Sequence, residues 1–196
     1  MWRWLEDLLI KQSILRKGYG HAWVKRISWT GYSVAKDQAE RVLRLEQLCL
    51  EATSNKDWVA HDITGDGKAE TFCNRALRYI SQGMGCYAFG QTDSANVILR
   101  KLAEHPQFKE VPLVLASHKA QEGKLVICGA PDLPHGHVTA VAPRAAEMSG
   151  SWGGLVPLVA QVGSLEVGIG VKKLSEAYGV RYKGTLKVYC WEDPDA

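Results

Sequence analysis

Four short runs in the C-terminal half constrain the fold most: KLVICG (124–129), HVTAVAP (137–143), PLVAQVG (157–163) and TLKVYCW (185–191). Each is Val-rich, partly alternating and bounded by Gly or Pro, the pattern of a β-strand. Upstream of them the apolar residues fall at helical spacing instead. Helices first and strands afterwards predict an α+β fold with an antiparallel sheet, not a parallel α/β sheet.

In the helical half, residues 2–17 (WRWLEDLLIKQSILRK) place Leu5, Leu8, Leu9, Gln12 and Leu15 near one stripe, which predicts an amphipathic helix ending at Gly18. After the aromatic connector YGHAWVKRISWTGY, a second helical pattern covers about 34–53, with Val42, Leu45, Leu48 and Cys49 in register. Residues 1–55 therefore read as a helical N-terminal region, and 56–196 as a second domain. Loop is expected from Asn55 to Gly67 and helix from Thr71 to about Gln82, stopped by GMG at 83–85. A further helix is expected over Ser94–Glu104, ahead of Pro106.

Composition excludes several classes of protein. A chain of 196 residues, 46% hydrophobic, can bury one sizeable core. Its longest apolar stretches, such as VPLVLA (111–116), fall far short of the roughly 20 residues a bilayer span needs, so no transmembrane segment is expected. The N-terminus carries Glu6 and Asp7 where a signal peptide has only positive charge, and it lacks a long apolar core. Synthesis in the cytoplasm without a signal peptide is the expectation. Five cysteines, odd in number and with no CxxC pair, signal neither a zinc site nor a disulfide framework. The net charge of +3 arises within residues 1–57 and forms no basic stripe, so nucleic acid is not an expected partner.

The cysteine that opens a helix is the one with chemical promise. In DITGDGKAETFCNRAL, Cys73 follows the expected cap Thr71 by two residues, which puts its sulfur in a first turn, where free N–H groups and the helix dipole favour a thiolate. It shares a helical face with Ala76, Leu77 and Ile80, the face that must pack on the sheet. His137 opens the strand HVTAVAP, where a base can reach a thiol on a facing helix. Its neighbour His135 precedes Gly136 and has the wrong phase. If PLVAQVG returns antiparallel to HVTAVAP, Gln161 comes alongside His137, and its amide can accept from the second ring nitrogen. The competing reading is plain: a buried cysteine, a structural histidine and a solvent-facing glutamine.

Taken as a set, a cysteine in the first turn of a helix ("TFCN"), an AN-containing second helix (Ala95, Asn96), a strand GKLVICG before GHVTAVAP, and then a short polar-bearing strand resemble the papain-like bacterial cysteine amidases and endopeptidases of the cell wall, the CHAP and NlpC superfamily. The resemblance covers about residues 55–191. It implies a papain-like core, with 56–196 as the catalytic domain, and thiol hydrolysis of amide bonds in peptidoglycan peptides, as in a phage-type lysin or a delivered amidase. It also implies Cys73 as nucleophile, His137 as base and Gln161 as orienting residue, although that third place is more often Glu, Asp, Asn or His. No cofactor is required by such chemistry, and the target would lie in the periplasm or cell wall. The Cys73 N–H is one oxyanion donor, and Asn74 or Thr71 is a candidate for the second.

Two further features stay open at the level of sequence. Asp62, Thr64 and Asp66, followed by Gly67, match the first half of a calcium loop, but the twelfth position is Cys73 where an EF-hand needs Glu. Some CHAP-like domains carry an acidic metal loop just before the nucleophile, so calcium stands beside the alternative of a helix-capping turn. Trp152, in SGSWGGLVP, reads either as a wall of the substrate groove or as a tucked hairpin tip. As to function, the alternative to a hydrolase of the wall is a non-catalytic phage or bacterial interaction protein with a papain-like fold, using residues 1–55 to bind a partner protein. A third reading is a cysteine hydrolase or transferase acting on a cytoplasmic protein amide.

Overall fold

A computed structural model describes residues 38–62, 65, 70–133, 136–163 and 168–193. The expected helix at 2–17, and also Thr64, Asp66 and His135, lie outside the described residues. The described elements make an α+β fold around an antiparallel sheet.

The first helix, α1 (Gln38–Ser54), buries Leu45, Leu48, Cys49 and Ala52, an i, i+3, i+4, i+7 stripe. These side chains join the same core as the sheet residues. Residues of α1, ahead of the boundary expected at 55, thus share one core with described residues that follow it. Arg41 and Arg44 on α1 are buried as well. Arg41 is paired with Asp193 at 2.5 Å and donates to the Gly123 carbonyl at 3.3 Å, which ties α1 to the end of the chain. Removing one partner of so buried a pair would leave an uncompensated charge, at a cost of about 3–5 kcal/mol.

Helix α2 (Cys73–Gly83) buries Cys73, Ala76, Leu77 and Ile80, and it ends where Gly83 meets α1. A Cβ on Gly83 would sit 2.4 Å from Leu48 Cδ2, so any larger residue there would force the Leu48 side chain to move. Helix α3 (Ala95–Glu104) is capped by Ser94, whose Oγ accepts from the Val97 N–H at 3.3 Å. Its buried residues Ala95, Ile98, Leu99 and Leu102 again follow the helical period. A short helix α4 (Ala116–Gln121) lies just ahead of the run KLVICG in the chain.

Among the described residues the main sheet has six strands, β1 (Phe108–Glu110), β2 (Val126–Ala130), β3 (His137–Val141), β6 (Leu158–Gln161), β7 (Gly170–Lys173) and β8 (Lys187–Trp191). Their spatial order is β1-β8-β2-β3-β6-β7, with every neighbour antiparallel. Strand β2 is buried along its whole length, as a central strand covered on both faces must be. β4 (Glu147–Ser149) and β5 (Gly154–Val156) form a separate hairpin. A last helix, α5 (Leu174–Tyr178), follows β7 directly.

Candidate active site

Cys73 is the first residue of α2, and α2 packs on β3, the strand that begins with His137. The residue before the helix is Phe72, with no side-chain cap, so the cap is not Thr71 as its hydroxyl suggested. With no cap side chain in the way, a first-turn N–H, that of Asn74, is open to the sulfur.

Strand register brings the third residue in. Ala140 pairs with Ala160 and Val141 with Val159. One more step sets Gln161 across from Thr139, on the side that His137 shares by alternation and diagonal to it. The Gln161 Oε1 accepts from His137 Nε2 at 2.8 Å, and Gln161 itself is fully buried. That contact leaves Nδ1 as the ring nitrogen for Cys73, and the two groups bias each other's ionisation. An acceptor on Nε2 fixes the ring's rotation and tautomer.

The electrostatics favour an ion pair. Burial is the largest influence on the Cys73 thiol and opposes its ionisation. The hydrogen bond from His137, its positive charge, and the backbone N–H groups of Val138 and Asn74 together outweigh it, and the thiol is held below its ordinary pKa. For His137, burial again works against charge, but the hydrogen bond and charge of Cys73 and the hydrogen bond His137 donates to Gln161 hold its pKa above the ordinary value. The two shifts belong to one coupled titration, in which thiolate and imidazolium stabilise each other. The other four cysteines go the opposite way: burial raises Cys49, Cys128 and Cys190, and it pushes Cys86 up to about 11.

Gly163 shapes the approach to the nucleophile. It has φ +100°, and a Cβ there would lie 2.9 Å from the Phe72 N and 3.2 Å from the Cys73 N. Only a residue without a side chain lets the chain leaving β6 pass so near the first turn of α2. Tyr178, the last residue of α5, is buried with its ring against His137, centroids 4.9 Å apart. Sequence reasoning missed both residues. The glycine stands in VAQVG two places after Gln161, a readable signal, whereas Tyr178 sits in a helix of five residues that shows no period.

The remaining candidates fall elsewhere. The Asn74 Nδ2 donates to the Asp93 carbonyl at 2.8 Å, joining the start of α2 to the loop before α3. Trp152 is 3% exposed at the tip of the β4–β5 hairpin, and its Nε1 donates to the Gly179 carbonyl at 3.3 Å. It is the tucked tip, not a groove wall. The Asp62 Oδ1 accepts from the Gly65 N–H at 2.6 Å, the contact of a local turn. Among the described residues no three His, Cys, Asp or Glu side chains gather as a metal site would require. Nor is any described helix long and apolar enough to cross a membrane.

No protein-family model matches the chain, and a comparison with curated proteins finds no match.

Proposed function

We propose that the protein is a cysteine hydrolase that cleaves amide bonds in peptidoglycan peptides, built on a papain-like core with Cys73, His137 and Gln161 as its catalytic residues. The observation that carries this reading is the arrangement of the three: a thiol at a helix start, coupled in its ionisation to an imidazole whose other nitrogen donates to a buried amide oxygen. A structural cysteine has no use for such an arrangement, because burial alone would keep it protonated, as at Cys128. The choice of peptidoglycan is supported by the resemblance in residue order.

The reaction follows from the site. His137 takes the proton of Cys73, and the sulfur attacks the carbonyl carbon of the substrate amide. The tetrahedral oxyanion receives the Cys73 N–H at the start of α2, where the helix dipole adds positive potential. His137 then hands its proton to the departing amine, leaving a thioester on Cys73. Water, deprotonated by His137, attacks the thioester, releases the acid and restores the thiol. Gln161 stays neutral throughout, orienting the ring and stabilising its charged form through Oε1.

Mass spectrometry of muropeptides after incubation with purified peptidoglycan tests the proposal. New termini with the wild type and none with Cys73→Ala are expected. An unchanged muropeptide profile with folded wild type would remove the wall substrate and favour an interaction protein or a different amide.

A further inference from the structure

Tyr178 serves no step of the chemistry above, yet it is built into the site more firmly than a packing residue requires. Its hydroxyl donates to the Cys128 carbonyl of β2 at 2.8 Å, with the His137 carbonyl of β3 at 3.4 Å. Thr139 on β3 approaches the same oxygen at 3.2 Å and, with the phenol hydrogen already committed, acts as the donor. Those contacts pin the ring to two adjacent strands at the place where His137 emerges. The ring lies 4.9 Å from the imidazole, tilted by 54°, and behind it Tyr182 makes an edge contact at 6.2 Å. Tyr182 in turn is held by Asp132 and stacked under Arg181. Gly179, at φ +63°, stops α5 immediately after the tyrosine and so sets where the ring points.

The imidazole thus has Gln161 on one nitrogen, Cys73 as partner for the other, and a tilted aromatic ring packed beside it. We propose that Tyr178 is a positioning residue, its tilted aromatic ring beside the imidazole favouring the imidazolium of His137 and so the thiolate of Cys73. The physical cause is the quadrupole of the ring, which attracts a cation within about 6 Å of its centroid and acts more strongly where water is excluded. The hydroxyl contributes by fixing the ring and not by moving a proton. This inference rests on the reading of Cys73 and His137 as an ion pair, and it does not depend on which amide is cut.

The test is the pH dependence of Cys73 alkylation by iodoacetamide in the full chain, followed by peptide mapping, with thermal melting beside it. Tyr178→Phe keeps the ring and loses the anchor. Tyr178→pentafluorophenylalanine keeps the same shape with the charge of its face reversed. The expected result is a labelling midpoint near that of the wild type for Tyr178→Phe, with a lower melting temperature. For the fluorinated ring a midpoint higher by about half a pH unit or more is expected, a roughly threefold loss of thiolate at a fixed pH below the midpoint. Equal midpoints for the two variants would overturn the proposal and leave Tyr178 a packing residue. A wild-type midpoint at the value of a free thiol would overturn it as well, by removing the ion pair on which both this inference and the proposed function stand.

Discussion

Cys73 and Cys128 are almost equally buried, at 5% and 0% exposure, yet their surroundings set them apart. Cys128 lies in the middle of β2, where burial alone acts on it and holds the thiol far above its ordinary pKa. Cys73 lies at the start of α2 and bears a burial penalty too, but an imidazole and two backbone N–H groups reverse it. The ionisation of these two thiols is thus set apart by their neighbours, not by their burial. The same contrast holds between two buried polar groups on the sheet and on α1. Gln161 meets an imidazole and becomes part of a site, whereas Arg41 meets Asp193 and becomes a clasp.

The comparison breaks most visibly at His137. His137→Ala should lower turnover by about a hundredfold or more, the usual cost of losing a general base, and it should move the Cys73 labelling midpoint up toward an ordinary thiol. The sign follows from the shifts. With His137 present the thiolate forms below the ordinary cysteine pKa, and the imidazolium persists above the ordinary histidine pKa. Turnover should therefore rise with pH through the first step and fall through the second, and both limbs should collapse in the variant. A variant with an unchanged labelling midpoint would sever the two residues.

Gln161→Ala comes next, at about tenfold in turnover, because the imidazole loses its orienting acceptor but keeps its proton affinity. Its readout is a lower kcat with a small downward move of the descending, imidazolium limb. A loss as large as that of His137→Ala would give Gln161 a more direct part in the chemistry. Gly163→Ala should act through the backbone: the positive φ and the approach to the Phe72 and Cys73 nitrogens predict about 1–3 kcal/mol of destabilisation. Chemical denaturation measures it, and an unchanged midpoint concentration would show that the chain leaving β6 can move away from α2.

Cys128→Ala is the control with the smallest effect. It should cost about 1 kcal/mol of stability through a small cavity and leave the labelling of Cys73 and its pH profile untouched. A shifted profile would mean that β2 transmits more to the site than the Tyr178 bond to its backbone.

Much of this contrast was legible in the sequence, and the reasons are specific. The strand HVTAVAP announces its period through Val138, Ala140 and Ala142, so the phase of His137 could be read, and antiparallel return of PLVAQVG then placed Gln161. The face of α2 was equally readable from Cys73, Ala76, Leu77 and Ile80. The merging of α1 with the core was not, because Arg41 and Arg44 put charge on a buried face, and charges ordinarily mark the exposed side. The strand GVKK (170–173) is half-buried on an edge and lacks the Val-rich signature, and α5 is too short for any period. Trp152 illustrates a different limit: a large aromatic among glycines looks like a binding loop until a carbonyl such as that of Gly179 is found to take its N–H.

The central claim is that one thiol among five is a nucleophile, and competitive labelling measures that directly. Brief exposure of the folded full chain to limiting iodoacetamide at neutral pH, followed by peptide mapping, should modify Cys73 first and by a wide margin, since it is the one described cysteine whose thiol is held down in pKa while the other four are raised. Preferential modification of Cys86 or Cys128, with Cys73 left intact, would contradict the account and return Cys73 to the core.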